Sequence, residues 1–273
     1  MIRITEQPSK YRHLEKKSVE ELTFHINNED KLVASAIEKA LPQLNILIEA
    51  IISKIRNGGR LFYVGAGSGG RLSVLDSIEL PTTFGIPQGL FNVVLAGGKE
   101  HLIEAPEEKE DDINAGWDEL QEKNISGKDI VIGISASGTT PFVLSALNAC
   151  KKNNITTACI VSNSDSPIAV QSDIPIEVIT GPEFISGSTR MKCGTAQKMI
   201  FDMISTTVMI QLGQVLDNQM VNVKLINDKI TDRAVKMLMA NIGLTDYESA
   251  KTMLLESGSV KKAIDNYKDL NSL

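Results

Sequence analysis

Three short runs of glycine and hydroxyl residues carry the chemistry most open to view in this chain. Gly65-Ala66-Gly67-Ser68-Gly69-Gly70 follows the apolar stretch Leu61–Val64, and Ser135-Ala136-Ser137-Gly138-Thr139-Thr140-Pro141 follows Asp129–Ile134. Each ends where a helical pattern begins, at Arg71–Ile78 and at Pro141–Cys150. A helix N-terminus presents N–H groups without intrahelical partners and the positive end of the dipole, so it holds an anion readily. Hydroxyls both donate and accept, which suits phosphate oxygens and sugar hydroxyls alike. The third run, Ser186-Gly187-Ser188-Thr189-Arg190-Met191-Lys192, sets two cations among hydroxyls just ahead of a long apolar stretch. One such loop alone is an ordinary cap and turn. Two in the same strand–loop–helix setting point to a small phosphorylated ligand, a sugar or a nucleotide.

The first loop also fits G-x-G-x-x-G at Gly65, Gly67 and Gly70. A dinucleotide site would want an acidic residue closing the second strand, to hold the ribose hydroxyls. Here the second strand, Phe91–Leu95, closes in Ala96-Gly97-Gly98, which counts against a nicotinamide cofactor.

Strand and helix patterns alternate around these loops. Short apolar runs at Leu61–Val64, Phe91–Leu95, Asp129–Ile134, Thr156–Val161 and Ile174–Thr180 read as strands. Helical stretches between them predict an α/β fold, a mainly parallel sheet sandwiched by helices, with the loops on its carboxyl edge. Ahead of the sheet, Ser18-x-x-Glu21 is a capping box, and apolar residues from Lys31 to Arg56 keep helical spacing up to Asn57-Gly58-Gly59. Pro42 is expected to kink or divide that stretch. Residues 99–124 are acid-rich and helical in part, and 194–215 read as a long buried helix. Thr245-x-x-Glu248 is a second capping-box pattern, opening a helix that ends near Gly258. The expected organisation is an N-terminal helical segment (1–56) packing on the core, a ligand-binding α/β domain (57–221) and a small helical C-terminal portion (222–273).

Bulk properties exclude several classes. With 273 residues, 42% of them hydrophobic and 23% charged, the chain is an ordinary globular protein. A net charge of −6 argues against a nucleic-acid partner. Three cysteines without a CxxC pair, and three scattered histidines, form neither a disulfide framework nor a metal pattern. The polar N-terminus is unlike a signal peptide, and no apolar run approaches the roughly 18 residues of a membrane helix. A soluble protein of a reducing compartment, without a membrane partner, is expected.

Tyr63–Leu72, Asp76–Gly85, Ser137–Pro141 and Gly187–Lys198, with Asn28–Lys31 and Val93–Gly98, resemble the N-acetylmuramic acid 6-phosphate etherase family of the sugar isomerase (SIS) superfamily. The similarity covers most of residues 20–225. It implies an SIS fold, a homodimer with its active site near the subunit interface, no metal or organic cofactor, and a bacterial cytoplasm. The implied reaction is a carbon–oxygen lyase step in cell-wall sugar recovery: the D-lactyl ether of N-acetylmuramic acid 6-phosphate is cleaved to N-acetylglucosamine 6-phosphate and D-lactate. An ether leaves poorly, but the C2 proton of the open-chain sugar lies α to an aldehyde. A base can remove it, lactate can depart from C3 with proton assistance, and water can add. That scheme needs two carboxyl groups of tuned pKa.

The resemblance places them on Glu79, in Asp76-Ser-Ile-Glu-Leu-Pro-Thr, as acid, and on Glu110 as base at C2, with roles open to exchange. Several acids crowd the second position, so Glu107 and Glu108 are alternatives. Read without the resemblance, Glu79 is a helix-end carboxylate and Glu110 part of a solvated acidic face. The substrate and its phosphate fall to Ser68, Gly69, Ser137, Gly138, Thr139, Thr140 and Ser188. Arg71 and Lys192 serve as electrostatic helpers or else pair with carboxylates. Gly69 stands where the family pattern suggests serine, and Thr139 where arginine often follows Ser-Gly. The rivals are a non-catalytic sugar-phosphate sensor, as in the glucokinase regulatory proteins, and an aldose–ketose isomerase. The sensors carry two such domains, whereas this chain shows no internal repeat of the unit.

Overall fold

The computed structural model describes residues 3–102 and 106–271; residues 1–2, 103–105 and 272–273, which include the outer ends of the two terminal portions and part of the acid-rich stretch, lie outside the described residues. Five apolar runs form strands: Leu61–Gly65 (β1), Phe91–Leu95 (β2), Ile130–Ile134 (β3), Thr156–Val161 (β4) and Ile174–Glu177 (β5). All neighbours pair in parallel, in the order β2-β1-β3-β4-β5. Helices cover such a sheet, so its strands are buried on both faces and read as unbroken apolar runs rather than as alternation. Every residue of β1 and β3 is buried.

Ahead of the sheet, Val19–Arg56 forms one helix, α1, of 38 residues. Ser18 Oγ accepts from the Glu21 N–H and Glu21 accepts from the Ser18 N–H, completing the capping box. Pro42 does not divide the helix. Val33, Ile37 and Ala40 before it, and Leu44, Leu47, Ile48 and Ile51 after it, are all buried along one face. Burial on both sides outweighs the roughly 3 kcal/mol that an interior proline costs an isolated helix. The other helices are Gly67–Phe84 (α2), Ala115–Glu122 (α3), Pro141–Lys152 (α4), Pro167–Gln171 (α5) and Lys192–Gln211 (α6). Under one face of the sheet, Phe62, Val64 and Val131 pack with Phe142, Val143 and Leu147 of α4.

The chain divides into two compact units, 1–77 with 89–204, and 78–88 with 205–273, so α1 shares a unit with the sheet. In the second unit the short strands Val215–Leu216 (β6) and Gln219–Met220 (β7) form an antiparallel pair that no sequence pattern announced. Three helices follow, Asp228–Ile242 (α7), Tyr247–Ser257 (α8) and Val260–Asn271 (α9), packing Val235, Leu238, Ala250, Leu254, Ala263 and Ile264 together. Asp246, not Thr245, caps α8, accepting from the Ser249 N–H at 2.8 Å. Two adjacent residues competed for the cap, and the carboxylate also favours the positive helix end. The helix stops at Gly258, in the left-handed conformation expected of a terminal glycine.

Candidate active site

The carboxyl ends of β1, β2 and β3 stand level, because Gly65 pairs with Leu95 on one side and Ile134 on the other. The strand order reverses between β1 and β3, and ligands of open α/β sheets gather in the crevice at such a switch point. The glycine loop leaves β1 there and the serine–threonine loop leaves β3 beside it. A cavity of about 210 Å3 opens between them, lined by residues 66–69, Glu110, residues 134–137, Thr140, Gly187, Thr189, Gln197 and Glu6. That is below the ~300–1,000 Å3 of pockets that enclose a whole drug-sized ligand, so it suits one end of a sugar phosphate.

The glycine spacing has a steric cause. A β-carbon on Gly65 would stand 2.9 Å from Gly70 Cα, and one on Gly70 only 2.8 Å from the Gly65 carbonyl carbon. Their absence lets α2 start tight against the end of β1. Gly67 opens the helix at φ +55°, where a β-carbon would lie 2.9 Å from Glu110 Oε1. The Glu110 carboxylate therefore rests over the first turn of α2. The first N–H groups of a helix have no intrahelical partner, and here residues 67–69 of that turn line the cavity.

The second loop is an internally bonded hydroxyl network. Ser135 Oγ lies 2.8 Å from Thr140 Oγ1 and 3.2 Å from Ser137 Oγ, and it accepts the Gly138 N–H at 3.1 Å. Ser137 Oγ accepts from Thr139 Oγ1 at 3.1 Å. Buried Asn163 donates to the Ala136 and Ser137 carbonyls at 3.2 and 3.0 Å, holding the loop from beneath. The wall is thus rigid and rich in hydroxyls that can turn toward a ligand.

Glu110 sits on the short 3-10 turn Glu107–Asp111 and is half-buried. Burial lifts its pKa above the usual carboxylate range; the Glu107 charge adds to the rise, the Arg71 guanidinium opposes it, and Asp111 adds a little more. A carboxyl poised upward in a cleft is suited to proton transfer. Of Glu107, Glu108 and Glu110, only the last lines the cavity; the other two are exposed.

The structure brings Ser68, Gly69, Ser137, Thr140 and Glu110 together in one lining and leaves other expected residues outside it. Thr139 lines a neighbouring groove with Arg3. Gly138 makes the turn at φ +72°, with Ser166 Oγ only 2.2 Å from where its β-carbon would be. Ser188 is half-buried, its N–H on the Ile185 carbonyl, and Gly187 and Thr189 on either side supply the lining instead. Arg71 acts on Glu110 through its charge without lining the cavity. Glu79 is exposed on α2 and is not among the lining residues.

Lys192 takes the alternative its sequence left open, pairing with a carboxylate. Its ammonium is buried on Glu29 Oε2 of α1 at 2.6 Å, and Lys10 and Tyr11 reach Glu29 Oε1 at 3.3 and 3.1 Å. The N-terminus of α6 is also taken. The fully buried Glu183 accepts the Lys192 and Cys193 N–H groups at 2.9 Å each, so this helix offers an anion much less than α2 does. Sequence reasoning missed Ser135, Thr189, Gln197 and Glu6 among the polar lining residues. The first lay inside the serine loop and the next two inside the Gly187–Lys198 run, but Glu6 stands in a polar stretch without pattern.

Burial pushes the Cys150 and Cys193 thiols up to about 12 and Cys159 to about 11, so none supplies a thiolate. Among the described residues, no three His, Cys, Asp or Glu side chains converge as a metal site, and no helix is long and apolar enough to cross a membrane.

Residues 43–151 match the glucokinase regulatory protein N-terminal SIS domain, and residues 115–206 the SIS domain. An N-acetylmuramic acid 6-phosphate etherase of Bacteroides fragilis is 54% identical over 98% of this chain and 95% of its own length. One from Bacteroides thetaiotaomicron is 52% identical over 99% and 98%. Among solved structures, a phosphoheptose isomerase from Francisella tularensis superposes with a TM-score of 0.53 at 16% identity, over 73% of this chain and 100% of that one. This last likeness is one of fold.

Proposed function

The chain belongs to the N-acetylmuramic acid 6-phosphate etherase family, and from that premise we infer that it cleaves the D-lactyl ether of N-acetylmuramic acid 6-phosphate. The products are D-lactate and N-acetylglucosamine 6-phosphate, the chemistry of cell-wall sugar recovery, and the enzyme is a carbon–oxygen lyase. In our reading the phosphate sits against the first turn of α2 and the hydroxyls of Ser68, Ser137 and Thr140. Glu110 removes the C2 proton of the open-chain aldehyde. Electrons of that C–H bond form the C2–C3 double bond as the C3–O bond breaks. Glu79, assigned by resemblance, gives the departing lactate oxygen its proton. Water then adds at C3, its proton passing to the carboxylate just emptied, and C2 is reprotonated.

The observation that carries this reading is Glu110 itself. One carboxyl, raised by burial, shares a cavity with a helix N-terminus and a hydroxyl network. The test is D-lactate release by wild type and by Glu79→Gln and Glu110→Gln, in water enriched in 18O. Cleavage at the sugar C3 puts the label on C3 and none in lactate, and elimination also brings solvent deuterium to C2 when the reaction runs in D2O; label in lactate, or no deuterium at C2, ends this mechanism.

The reading includes a homodimer in a bacterial cytoplasm, with the site near the subunit interface. Sedimentation of the purified protein checks the homodimer: a monomer at micromolar concentration removes the dimer from the account.

A further inference from the structure

Glu6 has no part in the reaction as derived, yet its carboxylate lines the same cavity. The chain around it is held at two points. Thr5, fully buried, gives its N–H to Asn163 Oδ1 at 3.2 Å and receives Asn163 Nδ2 on its hydroxyl at 3.0 Å. The same Asn163 amide holds the Ala136 and Ser137 carbonyls of the hydroxyl loop. On the other side, Ser9 bonds Ser186 Oγ through its N–H and the Phe184 carbonyl through its hydroxyl, at 2.8 and 2.7 Å. The backbone at Glu6 lies between these anchors. Its Oε2 would stand 3.4 Å from a β-carbon on Gly187. Among the described residues its carboxylate makes no hydrogen bond or ion pair, and Glu6 is exposed where the cavity meets solvent.

An unpaired carboxylate on a backbone anchored beside an anion site can act on a sugar phosphate in two ways. It repels phosphate and accepts a hydrogen bond from a neutral O–H or N–H donor. Donors at the α2 turn and the hydroxyl loop thus share the cavity with two carboxylates, Glu110, already assigned to the C2 proton, and Glu6, which is left for a neutral donor of the sugar. We propose that Glu6 is a specificity-determining residue: it accepts a hydrogen bond from a hydroxyl or amide N–H of the sugar and prevents the phosphate from binding reversed. This rests on the sugar-phosphate reading above.

The test is calorimetric binding of N-acetylglucosamine 6-phosphate and of inorganic phosphate to the full chain, for wild type, Glu6→Ala and Glu6→Gln. Because Glu6 is exposed, both variants should fold, and their melting temperatures are measured alongside. A hydrogen bond to a charged acceptor makes the Ala variant bind the sugar phosphate about ten- to a hundredfold more weakly. Inorganic phosphate should bind as before or more tightly, and Gln, which keeps one acceptor oxygen, should fall between. Unchanged sugar-phosphate affinity overturns the proposal. So does an equal loss for both ligands with a lowered melting temperature, which would make Glu6 a packing residue. Lactate release by wild type is scored separately and tests the etherase reading. A wild type that binds sugar phosphate without releasing lactate ends that reading and leaves Glu6 to the binding ratios; one that binds neither ligand ends both.

Discussion

Gly67→Ala is the sharpest perturbation of this site, because it touches Glu110 without changing any ionisable group. Gly67 has φ +55°, a conformation that costs a residue with a β-carbon about 1–2 kcal/mol. The new methyl would also stand 2.9 Å from Glu110 Oε1, against ordinary contacts of 3.4 Å and beyond. The carboxylate ends a flexible side chain, so it gives way before the backbone does, by about 0.5 Å. A misplacement of about 1 Å costs on the order of a hundredfold in rate, so half of that should cost roughly tenfold. The expected result is a fall in kcat of about tenfold, with a melting temperature lower by about 2–8 °C for a chain of this size. Gly58→Ala is the control. Gly58 has φ +79° with nothing within 4 Å of its would-be β-carbon, so it bears the backbone strain alone. Lactate release and thermal unfolding of both variants separate the two effects. If both melt lower but Gly67→Ala keeps wild-type kcat, the contact with Glu110 does not position a reacting group, and the reasoning fails.

Other outcomes follow from the same geometry. Glu110 has its pKa raised in the folded state, so protonation favours folding: its contribution is fully present below the ordinary 4.5 and is lost as pH climbs through the raised value. Glu110→Gln should therefore melt higher than wild type at neutral pH and equal to it below 4.5, and a lower melting temperature at pH 7 would contradict the burial argument. In wild type, kcat/KM should rise with pH through that same raised pKa, since a base works deprotonated; a flat profile from pH 4 to 8 would remove Glu110 as the base. Glu79→Gln, an exposed change, should leave stability within about 0.5 kcal/mol while abolishing lactate release, and retained turnover would cancel its role as acid. Lys192→Met strands the buried Glu29 carboxylate on Lys10 and Tyr11, so urea unfolding should show a loss of about 3 kcal/mol; a loss under ~1 kcal/mol would mean that the remaining partners or water suffice.

Five strands could be located in the sequence to within a few residues because buried parallel strands are continuous apolar runs bounded by small residues. The capping box of Ser18 and Glu21 and the helix stop at Gly258 were legible for the same reason: each involves groups a few residues apart. Pro42 and Thr245 show the limit of local rules. A proline survives where burial on both sides of it is strong enough, and a cap passes to the neighbour with the better acceptor.

What the chain's local chemistry determined, then, was an α/β protein with hydroxyl-rich loops at helix starts, suited to a phosphorylated ligand. Resemblance added the reaction and its two glutamates. Tertiary structure alone decided that β1 and β3 lie side by side, which sets their two loops around one cavity. It also singled out Glu110 from its acidic neighbours as the one lining that cavity, turned Lys192 inward to Glu29, and carried Glu6 to the site through a bond between Thr5 and Asn163, 158 residues apart. The physical reason is range. Propensity, capping and periodicity act over one or two turns of chain, whereas a buried ion pair or a cavity wall is set by which distant segments the packed core forces together.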